Sequence, residues 1–280
     1  DVICLQEVTQ ELLSKLETSP WVKNGYDMSN LKITDYGVLT LTKKRLRTKF
    51  TEMALPTQMK RTLCIATITL PSTKTMRIGN VHLESLNNAE QRRKQLAACY
   101  KMLGSSTEVD TMLAGDFNFC SYRNFHLSTQ PLENNVLMEE MRGYVDVWEA
   151  LYPDRKGYTF DSLSNSNISK YYERMRYDRI IARSLRVKPR KMMRFATEMV
   201  DLKLPPPPEP GHFKLNKKIT IQRLNLQRGN KVHLSDHYGL VALLTPIEDS
   251  EEPLPGTFIE STTPDRLGGS CQCNIGCTIA

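Results

Sequence analysis

The chain has 280 residues, of which 40% are apolar and 8% are aromatic, enough to build a sizeable core. This composition excludes a disordered or fibrous protein. The 38 Lys and Arg residues outnumber the 31 Asp and Glu residues, so the formal net charge is +7, and no apolar run reaches the roughly 18 residues that a membrane-spanning helix needs.

The amino terminus enters an apolar, β-branched run directly at Asp1, without a Met and without a basic-then-apolar leader. We therefore expect a fragment whose natural start is missing. The seven cysteines are an odd number at irregular spacings, and four of them lie among apolar residues: Cys4, Cys64, Cys99 and Cys120. This usage predicts reduced thiols, as in a cytosolic or nuclear protein.

Seven short apolar runs that end in polar clusters are predicted strands. In chain order they are 1–5, 36–42, 62–70, 76–83, 111–114, 177–182 and 237–244. Between the first two, a helix is predicted over 9–17, where Thr9 can cap a face made of Leu12, Leu13 and Leu16.

A second helix is predicted over about 89–103, with Asn88 as its cap and Gly104 at its end. Its buried face would hold Leu96, Tyr100 and Leu103. Strands therefore alternate with helices but also follow one another directly. This order favours an α/β fold with four layers, in which two packed mixed sheets have helices outside, over a simple doubly wound sheet.

Two segments interrupt this pattern. Residues at about 201–231 are rich in Pro and then in Lys and Arg, which predicts an exposed insertion. From about 248 onward, acidic residues, Pro and Gly predominate, which predicts a disordered tail. We therefore divide the chain into a folded domain over 1–247 and a tail over 248–280.

Polar clusters lie at or just beyond the carboxyl ends of several predicted strands. The first contains Glu7, which is either an ordinary loop residue or a ligand for a hard cation. The second contains His82 and Glu84, which an extended backbone would place on one side. Taken alone, His82 is more often structural than catalytic.

The third cluster, Ala114 to Phe119, is more specific. The period of two along a strand points Asp116 and Asn118 the same way, while Phe117 and Phe119 face the core. We expect Gly115 to let a substrate approach the backbone. A turn without catalytic function is the alternative.

The fourth and fifth clusters contain Asp178, beside an apolar strand, and the pair Asp236 and His237. Asp178 is either part of a surface ion pair or a functional carboxylate. Because neighbouring side chains diverge on an extended backbone, Asp236 and His237 are expected to have separate roles. A different carboxylate would then orient the imidazole of His237, and Asp178 is the candidate.

Five motifs, taken in chain order, resemble those of the endonuclease/exonuclease/phosphatase superfamily: LQEV, HLES, GDFN, YDRI and SDHYGL. They extend from residue 5 to residue 240. The stretches MKRTLC at 59–64 and YTFD at 158–161 are similar to its phosphotyrosyl-DNA phosphodiesterase branch. That branch carries Trp where this chain has Phe160 and Phe where it has Tyr177. The resemblance implies a DNase I-like sandwich and a metal-dependent phosphoric diester hydrolase.

The resemblance also implies a role for each motif residue. Glu7 is implied as a ligand of Mg²⁺, or of Mn²⁺, with Asp236 as a second ligand or one that acts through water. Asp116 would position or deprotonate the attacking water, and Asn118 would hold water or phosphate. The implied phosphate donors and their orienting carboxylate are His82, His237 and Asp178.

The resemblance implies a substrate in which the 5′ end of single-stranded DNA is joined to a tyrosine or peptide of a trapped topoisomerase. RNA is an alternative nucleic acid. An enzyme with this substrate would act in DNA repair. Its candidate contacts are Phe160, Tyr177, Arg123 and Ser85. Basic clusters suit such a polyanion, although each is more often a solvated face. They lie at 43–47, 92–94 and 183–194.

Members of this superfamily carry an Asn on a strand upstream of the LQEV strand, and no residue precedes Asp1 here. The resemblance therefore implies a chain that lacks one strand of its sheet and has weak or no activity. The last four residues loosely match a prenylation signal at Cys277, and the Cys271-Gln272-Cys273 stretch could take palmitate or bind a metal. The alternatives to a nuclear or cytoplasmic repair enzyme are thus a membrane-anchored phosphodiesterase acting on a lipid head group, and a binding module without activity.

Overall fold

The computed structural model describes residues 1–30, 35–69, 75–104, 109–126, 130–168, 172–184, 186–201 and 231–247, and the backbone of 275–279. The strands are β1 (Val2–Val8), β2 (Tyr26–Met28), β3 (Gly37–Lys43), β4 (Lys49–Ala54), β5 (Thr62–Thr69), β6 (Thr75–His82), β7 (Val109–Asp116), β8 (Val145–Asp146), β9 (Phe160–Asp161), β10 (Arg174–Met175), β11 (Asp178–Arg183), β12 (Val187–Phe195), β13 (Val200–Asp201), β14 (Lys231–Val232), β15 (Gly239–Pro246) and β16 (Ile275–Ile279). The α-helices are α1 (Gln10–Thr18), α2 (Pro20–Gly25), α3 (Ala89–Leu103), α4 (Val136–Glu140) and α5 (Val147–Leu151). All seven predicted strands and both predicted helices are present.

Two six-stranded sheets form the body of the domain. The first has the order β12-β15-β16-β1-β3-β2, and the second has the order β4-β5-β6-β7-β11-β8. Both sheets contain parallel and antiparallel pairs, because β16 is parallel to β1 and β6 is parallel to β7. The predicted fold class of two mixed sheets with helices outside is therefore confirmed.

The main core lies between the two sheets, where Val2 and Leu240 of the first sheet pack with Ile78 and Met112 of the second. Helix α3 covers the outer face of the second sheet, with Leu96 and Leu103 buried. Helices α1 and α2 cover the outer face of the first sheet. The result is four layers, and within the described residues no helix is long and apolar enough to span a bilayer.

Local chemistry explains the ends of the two predicted helices, with two corrections. The hydroxyl of Thr9 accepts a hydrogen bond from the Leu12 N–H, as a helix cap should, and Gly104 ends α3 with a φ of 91°. Leu12, however, is 41% exposed, since only Leu13 and Leu16 face the sheet. Asn88 precedes α3 but does not cap it, because its side chain donates to the Ser85 carbonyl instead.

The prediction of a disordered tail is wrong for Ile275–Ile279, which forms β16 between β1 and β15. Cys277 pairs with Val2 on one side and with Ala242 on the other. A strand in this position satisfies backbone groups that β1 and β15 would otherwise leave unpaired. Most of the predicted insertion, at 202–230, and the rest of the tail, including Cys271 and Cys273, lie outside the described residues.

Candidate active site

Three neighbouring strands of the second sheet place predicted site residues side by side. His82 at the end of β6 is in register with Asp116 at the end of β7, and Asp116 is in register with Asp178 at the start of β11. Asp116, Asp178 and His237 each have a potential ligand atom within 4.8 Å of the others. Residues that are remote in sequence thus meet at one edge of the sheet.

Gly115 has a different role from the one expected. Its φ is 141°, and a methyl group at this position would lie only 1.8 Å from the Val81 carbonyl oxygen. Glycine is needed here because β6 and β7 approach each other closely, not because a substrate contacts the backbone. The expectation for Phe117 and Phe119 holds, since both are buried in the core.

Glu7 reaches the site from the first sheet by means of an irregular strand. The pairing of β1 with β3 shifts between Leu5 and Val8, and Glu7 has a φ of 54°. Such a bulge re-aims a side chain toward a functional site. Buried Asn80 supports the bulge from β6, since its amide donates to the Leu5 carbonyl and accepts from Gln6.

His237 lies just before β15 and contacts the carboxylate predicted for it. Asp178 Oδ2 lies 2.8 Å from His237 Nδ1. Burial alone would lower the pKa of His237, but the carboxylates of Asp178, Asp116 and Asp236 together outweigh burial and raise this pKa to about 10. At neutral pH His237 is therefore an imidazolium, and its Nε2–H is available to an anion.

His82 has the opposite charge state. Burial is the main cause that lowers its pKa to about 4; Asp116 opposes this shift and the Arg61 guanidinium reinforces it. Arg61 Nη1 lies 3.0 Å from His82 Nδ1. Because a guanidinium can only donate, Nδ1 must accept, and the single proton of the neutral ring sits on Nε2, 3.4 Å from Asp116 Oδ2.

Arg61 is a site residue that the sequence reasoning missed. It precedes β5, is only 5% exposed and lies over the ring of Tyr36, whose centroid is 5.4 Å from the guanidinium carbon. The stretch 59–64 was noticed for its family likeness, but an Arg before a strand carries no signal of a role. Tyr36 is the first residue of a predicted strand, and its sequence context does not indicate a role at the site.

Asn118 is fixed by two hydrogen bonds. Its backbone N–H donates to Asp116 Oδ1 over 2.8 Å, and its side-chain amide donates to the Leu83 carbonyl over 3.0 Å. Its φ of 56° is unusual for a residue other than glycine, and such strain is typical of functional sites.

Aromatic rings line the His237 side of the site. Phe160 packs edge-on against His237 with ring centroids 5.1 Å apart, and Tyr177 stacks on His237 at 6.1 Å. Phe160 and Tyr177 also contact each other. The two aromatic residues predicted as substrate contacts therefore lie together at the site.

Other predicted site residues lie apart or at the margin. Glu84 does not point into the site with His82: it is fully buried and accepts from the Thr57 hydroxyl, the Gln58 N–H and the Gln95 amide. Ser85 contacts Met59. No contact joins Arg123 to the site among the described residues. The residue is half-buried, and its buried Nε has no hydrogen-bond partner within that set.

The basic cluster at 92–94 is not a free cationic surface. Arg92 is buried and forms two hydrogen bonds with the Glu133 carboxylate, and Arg93 pairs with Glu140. Part of the cluster at 183–194 is also committed, because Arg183 donates to the Gly104 carbonyl and Arg186 lies 3.2 Å from Asp110.

The acidic groups of the site suit a divalent cation. Partial burial is the main cause that raises the pKa of Glu7, and the nearby carboxylates of Asp236 and Asp116 add to the increase. His237 and Arg61 offset this repulsion only in part, and a hard cation would relieve it.

Comparisons with known proteins agree on one family. The model described as "Endonuclease/Exonuclease/phosphatase family" matches residues 1–237. Tyrosyl-DNA phosphodiesterase 2 from Danio rerio is 29% identical over 249 residues, which are 86% of this chain and 57% of that protein. The chain thus spans little more than half the length of this curated relative.

Two solved structures are similar over most of both chains. The crystal structure of D. rerio TDP2 complexed with single-strand DNA product has a TM-score of 0.64 and 25% identity, and the match covers 87% of this chain and 85% of that one. The crystal structure of truncated Caenorhabditis elegans TDP2 has a TM-score of 0.61 and 21% identity, with 89% and 84% covered. The second likeness concerns the fold alone.

Proposed function

Since this chain belongs to the endonuclease/exonuclease/phosphatase family, we propose that it is a Mg²⁺-dependent phosphodiesterase that hydrolyses the 5′-phosphotyrosyl bond between DNA and a trapped topoisomerase. The observation that carries this proposal is the convergence of Glu7, Asp116 and His237, from both sheets, beside the aromatic pair of Phe160 and Tyr177. Carboxylates and imidazoles placed together in this way can activate water and hold a phosphate.

The chemistry needs a water molecule, an anion-binding surface and a leaving group. Asp116 orients the attacking water and accepts its proton, while the amide oxygen of Asn118 holds that water in place. His237 Nε2–H donates to one non-bridging oxygen of the phosphate and His82 Nε2–H to the other. The bond that forms joins the water oxygen to phosphorus, and the bond that breaks joins phosphorus to the tyrosine oxygen.

Glu7 would hold the divalent cation, with Asp236 as a second or water-mediated ligand. Bound there, Mg²⁺ would supply positive charge to a phosphate oxygen. The phenol that leaves has an ordinary pKa of about 10, so it departs as a phenolate without a strong general acid. In this proposal both imidazoles contact the phosphate, and the leaving group needs no acid of its own.

A DNA substrate is supported by two observations. The similar D. rerio structure was solved with a single-strand DNA product. In this chain, Phe160 and Tyr177 offer flat surfaces on which a base can stack next to His237. Such an enzyme would act in DNA repair, in the nucleus or cytoplasm.

The test is a set of three substrates offered to the protein, each with Mg²⁺ and with EDTA: a 5′-phosphotyrosyl oligonucleotide, an abasic DNA duplex and sphingomyelin. We expect release of tyrosine from the first only, and only with the metal. Cleavage of sphingomyelin alone would support a lipid phosphodiesterase instead. Binding of the oligonucleotide without any cleavage would indicate a binding module and would refute the proposal.

A further inference from the structure

A groove at the β12 edge of the first sheet is not used by the chemistry described above. It lies between α5 and the edge strand β12 and encloses about 380 Å³. We call it the α5–β12 groove; its lining includes Tyr152, Arg155, Lys191 and Arg194. Tyr152 joins its two walls, since its hydroxyl accepts the Met192 N–H of β12 over 3.3 Å.

The cations of this groove are not neutralised. Arg155 lies over the ring of Tyr152 at 5.4 Å, and Arg194 donates to the Tyr158 carbonyl over 2.6 Å. Within the described part of the chain, neither these two residues nor Lys191 has a carboxylate within 4.0 Å, whereas nearby Arg174 is paired with Asp161. A set of exposed cations on an aromatic floor attracts an anion.

The groove begins next to the active site. Arg194 is paired with Leu240, three residues after His237, and its guanidinium carbon is 5.6 Å from the ring of Tyr238. Lys191 is paired with Leu243, farther along β15 from the site. The cations therefore lead from the site outward along β12.

We propose that the α5–β12 groove binds the single-stranded nucleic acid that continues from the nucleotides held at the active site. Phosphates would contact Arg155, Lys191 and Arg194, with Arg155 held in place over the Tyr152 ring. Alternating cations and aromatic rings is the arrangement that proteins use for single strands without reading their sequence. This inference rests on the proposed nucleic-acid substrate and extends it beyond the cleaved bond.

The test uses two 5′-phosphorylated oligonucleotides, of about four and about 16 nucleotides, whose binding is followed by fluorescence anisotropy over a range of salt concentrations. The groove variant is Arg155→Gln with Lys191→Gln. The control is Lys23→Gln with Lys101→Gln, which removes the same charge from exposed positions on α2 and α3. Thermal unfolding checks that both variants fold.

We expect the wild type to bind the longer oligonucleotide more tightly than the shorter one. The groove variant should weaken binding of the longer one by about fivefold or more and reduce the slope of log K against log salt by about 1.4, or about 0.7 per lost phosphate contact. The shorter oligonucleotide and the control variant should show no such loss.

Four outcomes would overturn the inference. Equal binding of both lengths by the wild type would refute the groove while leaving the substrate proposal intact, whereas no binding of either would remove the nucleic-acid substrate itself. An equal loss in the groove and control variants would mean that only net charge matters. If the groove variant loses binding of a polyglutamate peptide, and oligonucleotide length has no effect on binding, the occupant of the groove is an acidic peptide.

Discussion

The two imidazoles of the site do different work because their neighbours differ. His237 faces the Asp178 carboxylate, which keeps it charged. Burial keeps His82 neutral, and the adjacent Arg61 guanidinium adds to this effect. One full positive charge and one neutral donor thus face the position proposed for the phosphate. The site can bind an anion without repelling the cation that Glu7 and Asp236 would hold.

Replacing Asp178 with Asn should make the stability of the protein less dependent on pH. The folded-state pKa of His237, about 10, lies above the ordinary value of 6.5, so the stabilisation from this pair is complete below pH 6.5. It decreases as pH rises, by at most about 1.4 kcal/mol per pH unit, and is lost above about pH 10. Chemical unfolding in metal-free buffer should show a wild-type advantage that shrinks over this range. A constant difference between the two proteins would contradict the assigned pair.

Replacing Asp116 with Asn should abolish turnover while oligonucleotide binding is retained. The amide keeps the size of the carboxylate but cannot accept the proton of water, so kcat should fall by about 10²–10⁴. Asp27→Asn on β2 makes the same change in charge away from the site and serves as the control. An Asp116→Asn protein with near-normal kcat would show that another group activates the water.

The sequence predicted residues that belong to a local polar cluster better than residues that act through distant contacts. Asp116, Asn118 and His237 stand out because a polar cluster ends or begins an apolar run. Arg61 and Asn80 act through contacts with residues 21 and 75 positions away, which no local pattern reveals. The same limit explains the error at Arg92, whose partner Glu133 is 41 residues away.

At the scale of elements, the close pairing of β6 with β7 sets the position of the acidic row. Gly115→Ala should therefore destabilise the protein by about 3 kcal/mol or more, since the new methyl group would overlap the Val81 carbonyl oxygen and the φ of 141° does not suit alanine. Gly25→Ala is the matched control, because its methyl group would meet only Lys43 Nζ, at 3.9 Å. Thermal unfolding compares them, and similar stabilities would disprove the steric explanation.

The strands that the sequence did not predict lie mainly at sheet edges. β12 has Val187 and Met192 buried, but Lys and Arg on its open face and a bulge between Pro189 and Lys191 hide the alternation. The sequence of β12 therefore predicts a basic cluster and not a strand. β4 is the edge of the second sheet and is also half polar. Edge strands carry charge because it prevents pairing with other molecules, so their sequences look like loops.

Across the whole molecule, the site depends on the packing of the two sheets, because Glu7 and His237 come from one sheet and His82, Asp116 and Asp178 from the other. The order of strands and helices along the chain was sufficient to predict this layered architecture. It was not sufficient to predict β16, because five residues after a long polar segment give little periodic signal, and their partners, β1 and β15, are distant in sequence.

The place of β16 can be tested by removing one backbone donor. Thr278→Pro deletes an N–H from a strand that is paired with β1 and β15, so it should lower the free energy of unfolding by about 2 kcal/mol. Thr278→Val retains the N–H and a β-branched side chain and should have little effect. Hydrogen exchange should accelerate in Thr278→Pro at the partner residues Ile3 and Val241. Unchanged exchange there would mean that β1 and β15 do not depend on β16, and the site end of the first sheet would then be held by β3 and β12 alone.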